Sequence, residues 1–421
     1  MKRRWLAGAV ALGAAVAMTL SACGSSGNNS GGNGSTTLKL VAADYGTGPA
    51  NSSKKYWQGI ANAFHKANPN ITVDVTVVNW NDFDTQVQSM VQNKQYPDIT
   101  EGDYFANYAQ EGLLYKASDV LSNPGNLLSV FASLGSYQGA QYGMPFTTSS
   151  RTLFYNKKLF TQAHISSPPQ TWADIQADAA KIKALGKIGF GLPLGSEEAQ
   201  AEALLWMLGN GGNYVDSKGN WTIDSPQNVA TFDFLKQLVA AGDTEPNPGT
   251  KNRTDLWKQF AQGQIGMING SPALVPIIQQ GKVLKTSDYA SVPIAGKNGP
   301  LKTTLGVCDF TAAFKAGGTS KQAAIKKFLD FAYQDKYQMQ FDKEYDLLPA
   351  TTSATNKLQV DPQFGKTFGS FLKLLPKATQ YPASTAWAAV KTQIQHIIGT
   401  AVTGNPKSVL SQIQQTAEKS S

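Results

Sequence analysis

Apolar residues follow two different periods in the first hundred positions of the chain. They stand at every second position over residues 71–77, a spacing that predicts a strand with one buried face. Over residues 57–64 and 83–91 they recur three and four positions apart, which predicts two amphipathic helices. Short apolar runs at 38–41 and 97–99 complete the order strand, helix, strand, helix, strand. This order is typical of a parallel α/β sheet.

The same alternation continues beyond residue 150, so the α/β pattern covers the whole chain. Further helices are predicted at 199–208, 229–240, 321–341, 387–398 and 407–418. A length of 421 residues suggests two or three domains. Because no polar linker separates one part from another, we expect the chain to cross between its domains more than once.

The N-terminus carries the features of a secretion signal. Basic residues at 2–4 precede an apolar stretch at 5–19, which is shorter than the roughly 20 residues of a membrane span. The stretch ends in Leu20-Ser21-Ala22-Cys23, which resembles the bacterial lipobox, whose cysteine is lipidated and becomes the first mature residue. We expect a lipoprotein signal peptide at 1–22 and an anchor at Cys23 on the extracytoplasmic face of the cell membrane. An ordinary signal peptide with an incidental cysteine is the alternative.

Residues 23–37 are almost entirely Gly, Ser, Asn and Thr after the cysteine. Such a composition cannot bury a core and predicts a flexible tether between the lipid and the folded part. Beyond it, no stretch is long and apolar enough to predict a membrane span.

Composition and charge narrow the classes of function. Residues 1–22 contain three of the positive charges, so the formal net charge of +8 becomes +5 in the mature chain. The lysines are scattered, and no nucleic-acid partner is expected. Cys308 is the only other cysteine, which excludes a disulfide framework and predicts a buried thiol. His65, His164 and His396 fall far apart on two helices and a loop, so we expect no metal site and no cofactor.

Several short motifs occur in an order that resembles one protein family. The most specific local match is Pro145-Phe146-Thr147 followed by Thr152-Leu153-Phe154-Tyr155-Asn156 and Phe160, with departures at Thr152 and Gln162. Weaker blocks lie at 97–103, 110–114, 206–212, 260–270, 348–350 and 387–405. Together they resemble the family-one bacterial extracellular solute-binding proteins, the maltose-binding type, over nearly all of residues 36–421.

The resemblance implies an α/β, two-lobed periplasmic-binding-protein-like fold of type II, with the lobes joined by a multi-strand hinge. Lobe one would hold residues 36–148 and 303–345, and lobe two would hold 150–300 and 349–421. The function it implies is capture of a mono- or oligosaccharide in the cleft between the lobes. A separate permease and ATPase of an ABC importer would then receive the ligand from a monomeric, lipid-anchored binding protein that is not an enzyme.

Residues suited to a sugar follow the ends of the predicted strands. Amide and carboxylate groups suit hydroxyls, and flat rings suit the C–H faces of a sugar. The carboxyl ends of strands are where open α/β sheets bind ligands. The candidates from these loops are Asp44, Tyr45, Trp80, Asp103 and Tyr104. The resemblance also points to Asp103 and Tyr104 and adds Trp387, with Arg151, Glu202, Asp309 and Tyr345 as further candidates.

Structural roles compete with binding at several of these positions. Asp103 is equally suited to cap a helix, and Trp387 is equally suited to pack in a core. Trp80 is better suited to pack against the second helix than to contact a ligand. Arg151, beside the expected hinge, is suited either to a ligand oxygen or to a structural carboxylate. Trp172 follows two prolines and is expected in a peripheral loop.

Two alternative functions remain open from the residues alone. The first is a binding protein for a polyamine, a peptide or a metal chelate, although mixed aromatic and amide loops favour sugar. The second is a glycosidase-like enzyme, because such an enzyme needs only two carboxylates. Residues 270–273 lack the aromatic ring that many members of the resembled family carry there, so maltodextrin is not assumed as the ligand.

Overall fold

The computed structural model describes residues 35–46, 48–103 and 106–420. The predicted signal peptide, Cys23 and Tyr104 lie outside the described residues. Thr36 and Thr37, which the predicted tether and the predicted lobe one share, pair with Ile71 and Thr72 in the first two strands. In the first strand, backbone pairing therefore begins two residues before the apolar run at 38–41.

The larger of the two main sheets is built around the parallel strands that the sequence predicts. Its order is β12-β6-β11-β3-β1-β2, and β13 pairs with β11. Strands β1, β2 and β3 are parallel, whereas β11 runs antiparallel to both β3 and β6. The strands are β1 (Thr36–Asp44), β2 (Ile71–Asn79), β3 (Ile99–Gly102), β6 (Met144–Ser150), β11 (Thr304–Ala313), β12 (Leu348–Pro349) and β13 (Ala378–Thr379).

The second main sheet has the order β10-β7-β9-β8, with β8 and β9 parallel and the other pairs antiparallel. Its strands are β7 (Thr152–Asn156), β8 (Ile188–Gly191), β9 (Ile265–Gly270) and β10 (Tyr289–Val292). A short hairpin of β4 (Ser136–Tyr137) and β5 (Ala140–Gln141) stands apart from both sheets. The two sheets form the centres of two lobes, as predicted.

Helices cover the sheets because each has an apolar face. In the first of them, Tyr56, Trp57, Ile60, Ala61 and Phe64 are buried, which confirms the predicted spacing. The helices are α1 (Lys54–Ala67), α2 (Trp80–Gln92), α3 (Ala106–Gln110), α4 (Ala117–Val120), α5 (Ser129–Ala132), α6 (Lys157–Gln162), α7 (Trp172–Lys183), α8 (Ala199–Gly209), α9 (Pro226–Ala240), α10 (Arg253–Ala261), α11 (Leu274–Gly281), α12 (Gly318–Ala332), α13 (Asp335–Tyr345), α14 (Thr352–Gln359), α15 (Phe364–Leu374), α16 (Trp387–Ile397) and α17 (Pro406–Ser420). None in the described ranges combines the length and apolarity needed to cross a bilayer.

The chain crosses between the lobes more than once, as the missing linker predicted. Arg151 alone separates β6 of the first sheet from β7 of the second. The chain returns between β10 and β11, and it crosses again after β13, since α16 packs against α8 and α17 of lobe two. These crossings make up the multi-strand hinge.

The exact lobe boundaries stay predictions, but one detail differs from them. Pro349 in β12 pairs with Thr147, and Ala378 in β13 pairs with Thr304. Both belong to the larger sheet, although residues from 349 onward were assigned to lobe two. Their backbone hydrogen bonds, which no side-chain pattern reveals, decide this placement.

Two local predictions are wrong. The helix predicted at 321–341 is two helices, because Gln334 adopts an extended conformation with ψ of 137° between α12 and α13. Trp172 is a core residue rather than part of a peripheral loop. It opens α7, is only 4% exposed, and its ring stacks on Phe234 with the ring centroids 4.7 Å apart. The side chain of Thr171 caps this helix by accepting from the backbone N–H of Asp174.

Candidate ligand-binding site between the lobes

A small cavity lies where the larger sheet meets the segment that leads into α16. It encloses about 60 Å³, and its walls include Asp103, Cys308 and Phe310 from lobe one and Gln380, Tyr381 and Trp387 from that segment. Asp103 follows the carboxyl end of β3, and open α/β sheets bind their ligands at the carboxyl ends of the strands. The structure thus brings together Asp103 and Trp387, which are 284 positions apart in sequence.

Trp387 forms the aromatic wall of the cavity. Its indole stacks on the ring of Tyr381, with centroids 5.0 Å apart and an interplanar angle of 23°, and it also contacts Tyr214 at 5.3 Å. The residue is 8% exposed and belongs to the apolar core of lobe two with Val390 and Ile394. Trp387 therefore packs in a core and also lines the cavity, and its contact with a ligand stays a prediction.

Polar groups with unused hydrogen-bonding capacity stand beside this aromatic pair. The side-chain oxygen and nitrogen of Gln380 and the hydroxyl of Tyr381 are buried atoms with no hydrogen-bond partner among the residues that the structure describes. Buried polar groups are ordinarily satisfied by protein, water or ligand. Amide and hydroxyl groups of this kind can donate to and accept from sugar hydroxyls.

A second group of predicted residues gathers around Tyr45 in lobe one. Its hydroxyl lies 2.6 Å from Oε1 of Glu101 and 3.0 Å from Oδ2 of Asp309, and it can donate its single proton to only one of them. Burial, with the nearby charge of Asp103, raises the pKa of Asp309 to about 7. Burial also raises the pKa of Glu101 well above its usual range. The pair therefore carries less negative charge than two ordinary carboxylates.

Aromatic rings surround that pair of carboxyls. Trp80, the first residue of α2, meets the ring of Tyr45 edge to face at 5.3 Å. Tyr345 is buried, and its ring centre lies 6.1 Å from that of Tyr45. Asp44 is occupied locally, because its carboxylate accepts hydrogen bonds from Ser52 Oγ and the backbone N–H of Ser53, both at 2.8 Å. Of these four candidates, none is among the residues that line the cavity.

Arg151 and Glu202 belong to a polar cluster in lobe two. The buried guanidinium of Arg151 donates to Glu198 at 2.5 Å and to Ser149 at 2.8 Å. Arg253 also binds Glu198. Burial alone would raise the pKa of Glu198, but the positive charges of the two arginines outweigh it, so the pKa lies below its usual value. The sequence allowed either a ligand oxygen or a structural carboxylate as the partner of Arg151. In the structure that partner is the carboxylate of Glu198.

Glu202 is held inside the same cluster by neutral donors. The indole N–H of Trp206 and the amide of Asn269 donate to its Oε1 at 2.7 and 2.9 Å. Burial raises the pKa of Glu202 to about 7 despite these bonds. Glu202 therefore does not line the cavity that Asp103 and Trp387 border.

Several residues of the site escaped the sequence reasoning. Lys391 of α16 donates to Asp103 and, at 2.9 Å, to Oδ2 of Asp84. Tyr381 and Gln380 precede the predicted helix at 387 in a segment without helix or strand periodicity. The one available signal was the spacing of four between Trp387 and Lys391, which puts both on one helix face. Among the described residues, no group of His, Cys, Asp and Glu is arranged to hold a metal ion.

Comparison with known proteins agrees with this architecture. The profile of the family described as bacterial extracellular solute-binding protein matches residues 59–366. A protein of Brucella abortus, named only as a binding protein, is 27% identical over 372 residues, covering 84% of this chain and 85% of its own. The diacetylchitobiose binding protein DasA of Streptomyces coelicolor is 24% identical over 387 residues, covering 85% of this chain and 84% of its own.

The fold has close counterparts among solved structures. The GacH receptor of Streptomyces glaucescens superimposes with a TM-score of 0.78 at 21% identity, covering 91% of this chain and 98% of its own. The fold is therefore the two-lobed type of the maltose-binding proteins, as the sequence motifs implied. The chain belongs to the bacterial extracellular solute-binding proteins. It is thus a binding protein of a transport family.

Proposed function

We propose that the protein captures a carbohydrate in the cleft between its lobes and delivers it to an ABC importer. One observation carries the proposal: the stacked rings of Trp387 and Tyr381 stand beside Asp103 and Gln380 in one cavity. A flat ring covers the C–H face of a sugar, while planar polar groups bind its hydroxyls. Polyamine or metal binding would call instead for several acids or tyrosines on the cavity wall, where Asp103 is the one carboxylate and Tyr381 the one tyrosine among the described lining residues.

Relatives support the same ligand class. DasA is named for the binding of diacetylchitobiose, and the GacH receptor has been solved in complex with acarbose. Diacetylchitobiose and acarbose are carbohydrates or carbohydrate-like molecules.

The size of the cavity indicates that the lobes move during capture. Pockets for small ligands typically have volumes of ~300–1000 Å³, whereas this cavity encloses about 60 Å³. We infer that a saccharide ring enters while the lobes are apart. Closure around the ligand then depends on tighter binding to the closed state than to the open one.

The transport role follows from the family and from the N-terminal motif. A permease and an ATPase on separate chains would take over the ligand, and Cys23 would carry the lipid that keeps this monomeric protein at the extracytoplasmic face of the membrane. As a binding protein, it returns its ligand unchanged. Neither Asp103 nor another carboxylate at the cavity is assigned a catalytic role.

A thermal-shift screen tests the proposal. A version that begins at Ser35 is mixed with neutral mono- and oligosaccharides and, in parallel, with polyamines, peptides and metal chelates. A ligand at 100 times its Kd stabilises the folded state by about 2.7 kcal/mol, so a cognate saccharide should raise the melting temperature by several degrees. Chromatography after long incubation should recover it intact. A response to the non-sugar panel alone, or release of shorter sugars, would refute the proposal.

A further inference from the structure

Lys391 connects the two lobes across the cleft. It lies on α16, whose Val390 and Ile394 are buried in the core of lobe two. Its ammonium group binds the carboxylates of Asp84, on α2, and of Asp103, just after β3, and both of these belong to lobe one. The ion triad therefore exists only while the lobes are together.

The two carboxylates of the triad are partly buried and need the positive charge of Lys391 between them. The side chain of Lys391 is 15% exposed, and those of Asp103 and Asp84 are 26% and 30% exposed. Burial and the charge of Asp103 raise the pKa of Asp84 to about 6, even with the lysine present. Without a cation between them, the two carboxylates would repel each other, because like charges at short distance destabilise a partly buried site.

The helix that carries Lys391 also carries the aromatic wall of the cavity. Trp387 precedes the lysine by four positions, which places the two side chains on the same face, one turn apart. Ala388, between them, packs against the lobe-one cluster that contains Phe83 and Val87. A movement of α16 toward lobe one therefore brings the indole to the cavity and the ammonium to its two acids in a single step.

We propose that Lys391 is a positioning residue that latches the cleft closed by bridging Asp84 and Asp103 across the lobes. The latch acts on the protein itself and needs no ligand. Its effect on capture rests on the proposed function, since a saccharide that requires closure binds more tightly wherever the closed state is favoured. By the same linkage, breaking the latch weakens binding by the factor through which it reduces the closed population.

The latch is tested on the full chain, reconstituted in lipid, without any saccharide. Dyes are attached through unnatural amino acids at the exposed positions Gln92 of lobe one and Gln237 of lobe two, and single-molecule energy transfer reports the open and closed populations. Lys391→Met removes the charge and keeps the length of the side chain, Lys391→Gln is a milder second variant, and Lys391→Arg restores the charge. The matched control is Lys407→Met, which breaks an ion pair with Asp224 inside lobe two.

We expect Lys391→Met and Lys391→Gln to lower the ratio of closed to open molecules by about tenfold. Lys391→Arg should restore much of that ratio, and Lys407→Met should leave it unchanged. Raising the salt to 1 M should open the wild type more than Lys391→Met, because only the wild type has the ion triad to be screened.

An unchanged ratio in both charge-removing variants would overturn the latch, as would a wild type that is never closed. The two proposals fail separately. A saccharide found in the screen together with an unchanged ratio rejects only the latch. A shifted ratio with no saccharide binding rejects only the carbohydrate function.

Discussion

Replacement of Trp387 by alanine should weaken both stability and ligand binding, and the two effects can be separated. A buried aromatic side chain removes about 150–250 Å² from water, and at roughly 25 cal/mol per Å² this amounts to about 4–6 kcal/mol. Because the residue is 8% exposed and also borders a cavity, we expect a loss of about 3–4 kcal/mol in the free energy of unfolding.

The effect on binding follows from the part of the ring that faces the cavity. Truncation of a central aromatic anchor typically costs about 2–4 kcal/mol of binding free energy, which corresponds to a roughly 30- to 1000-fold loss in affinity. Trp387→Phe keeps a ring against Tyr381. The factor by which it lowers the affinity should be less than a tenth of the factor for Trp387→Ala. Urea denaturation gives the stability, and calorimetric titration with the best saccharide from the screen gives the affinity.

The control is Trp221→Ala. Trp221 packs partly buried against the same lobe-two core but does not line the cavity. Its removal should reduce stability and leave the affinity of the folded protein within about twofold of wild type. If Trp387→Ala is destabilised as expected yet binds with unchanged affinity, the ring has only a packing role, and its assignment to the site is refuted.

Three further predictions test other parts of the account. Burial raises the pKa of Glu245 from 4.5 to about 8, so the folded state binds more protons than the unfolded state in that window. The free energy of unfolding should therefore fall as pH rises from 5 to 8, and Glu245→Gln should flatten this slope in urea titrations. Gly399→Ala would place a Cβ 2.3 Å from the Cα of Gly249 and should cost about 1–3 kcal/mol in thermal unfolding, whereas Gly369→Ala, with open space in α15, should stabilise by about 0.5–1 kcal/mol. Cys23→Ser should move the protein out of the membrane fraction, as judged by immunoblotting, and a variant still labelled by radioactive palmitate would contradict the anchor.

The sequence was most informative where a single period acts over a whole element. The alternation at 71–77 lies inside β2, and the three-four spacing at 57–64 is the buried face of α1. Cys308 is buried, as its apolar surroundings predicted, and burial raises the pKa of its thiol well above the usual value. These features depend on local patterns, which are visible in one stretch of chain.

Features that depend on distant partners were not predictable in the same way. The break between α12 and α13 contains neither glycine nor proline. The hydroxyl of Tyr333, at that break, donates to the backbone carbonyl of Met144 at 2.8 Å, a partner 189 positions away. Likewise, nothing near Trp172 indicates that its ring stacks on Phe234. Tertiary packing decided both cases against the local signals.

The candidate site shows the same division. Loop residues at strand ends identified Asp103, and the family resemblance identified Trp387, but the lysine that joins Asp103 to α16 lies 288 positions further along the chain. A charged residue on a predicted helix is usually on a solvated face, so Lys391 carried no signal beyond its spacing of four from Trp387. The pairing becomes apparent only when the fold brings α16 against lobe one.

A crystal structure of the protein with the tightest-binding saccharide from the screen is the most direct test of the central claim. The account predicts one saccharide between the lobes, with a C–H face against the ring of Trp387 or Tyr381 and a hydroxyl hydrogen-bonded to Asp103. The lobes should be closed around the ligand, with α16 still facing lobe one, in a cavity larger than the 60 Å³ of the present structure. A saccharide bound on the outside of one lobe, touching neither Asp103 nor Trp387, would contradict it.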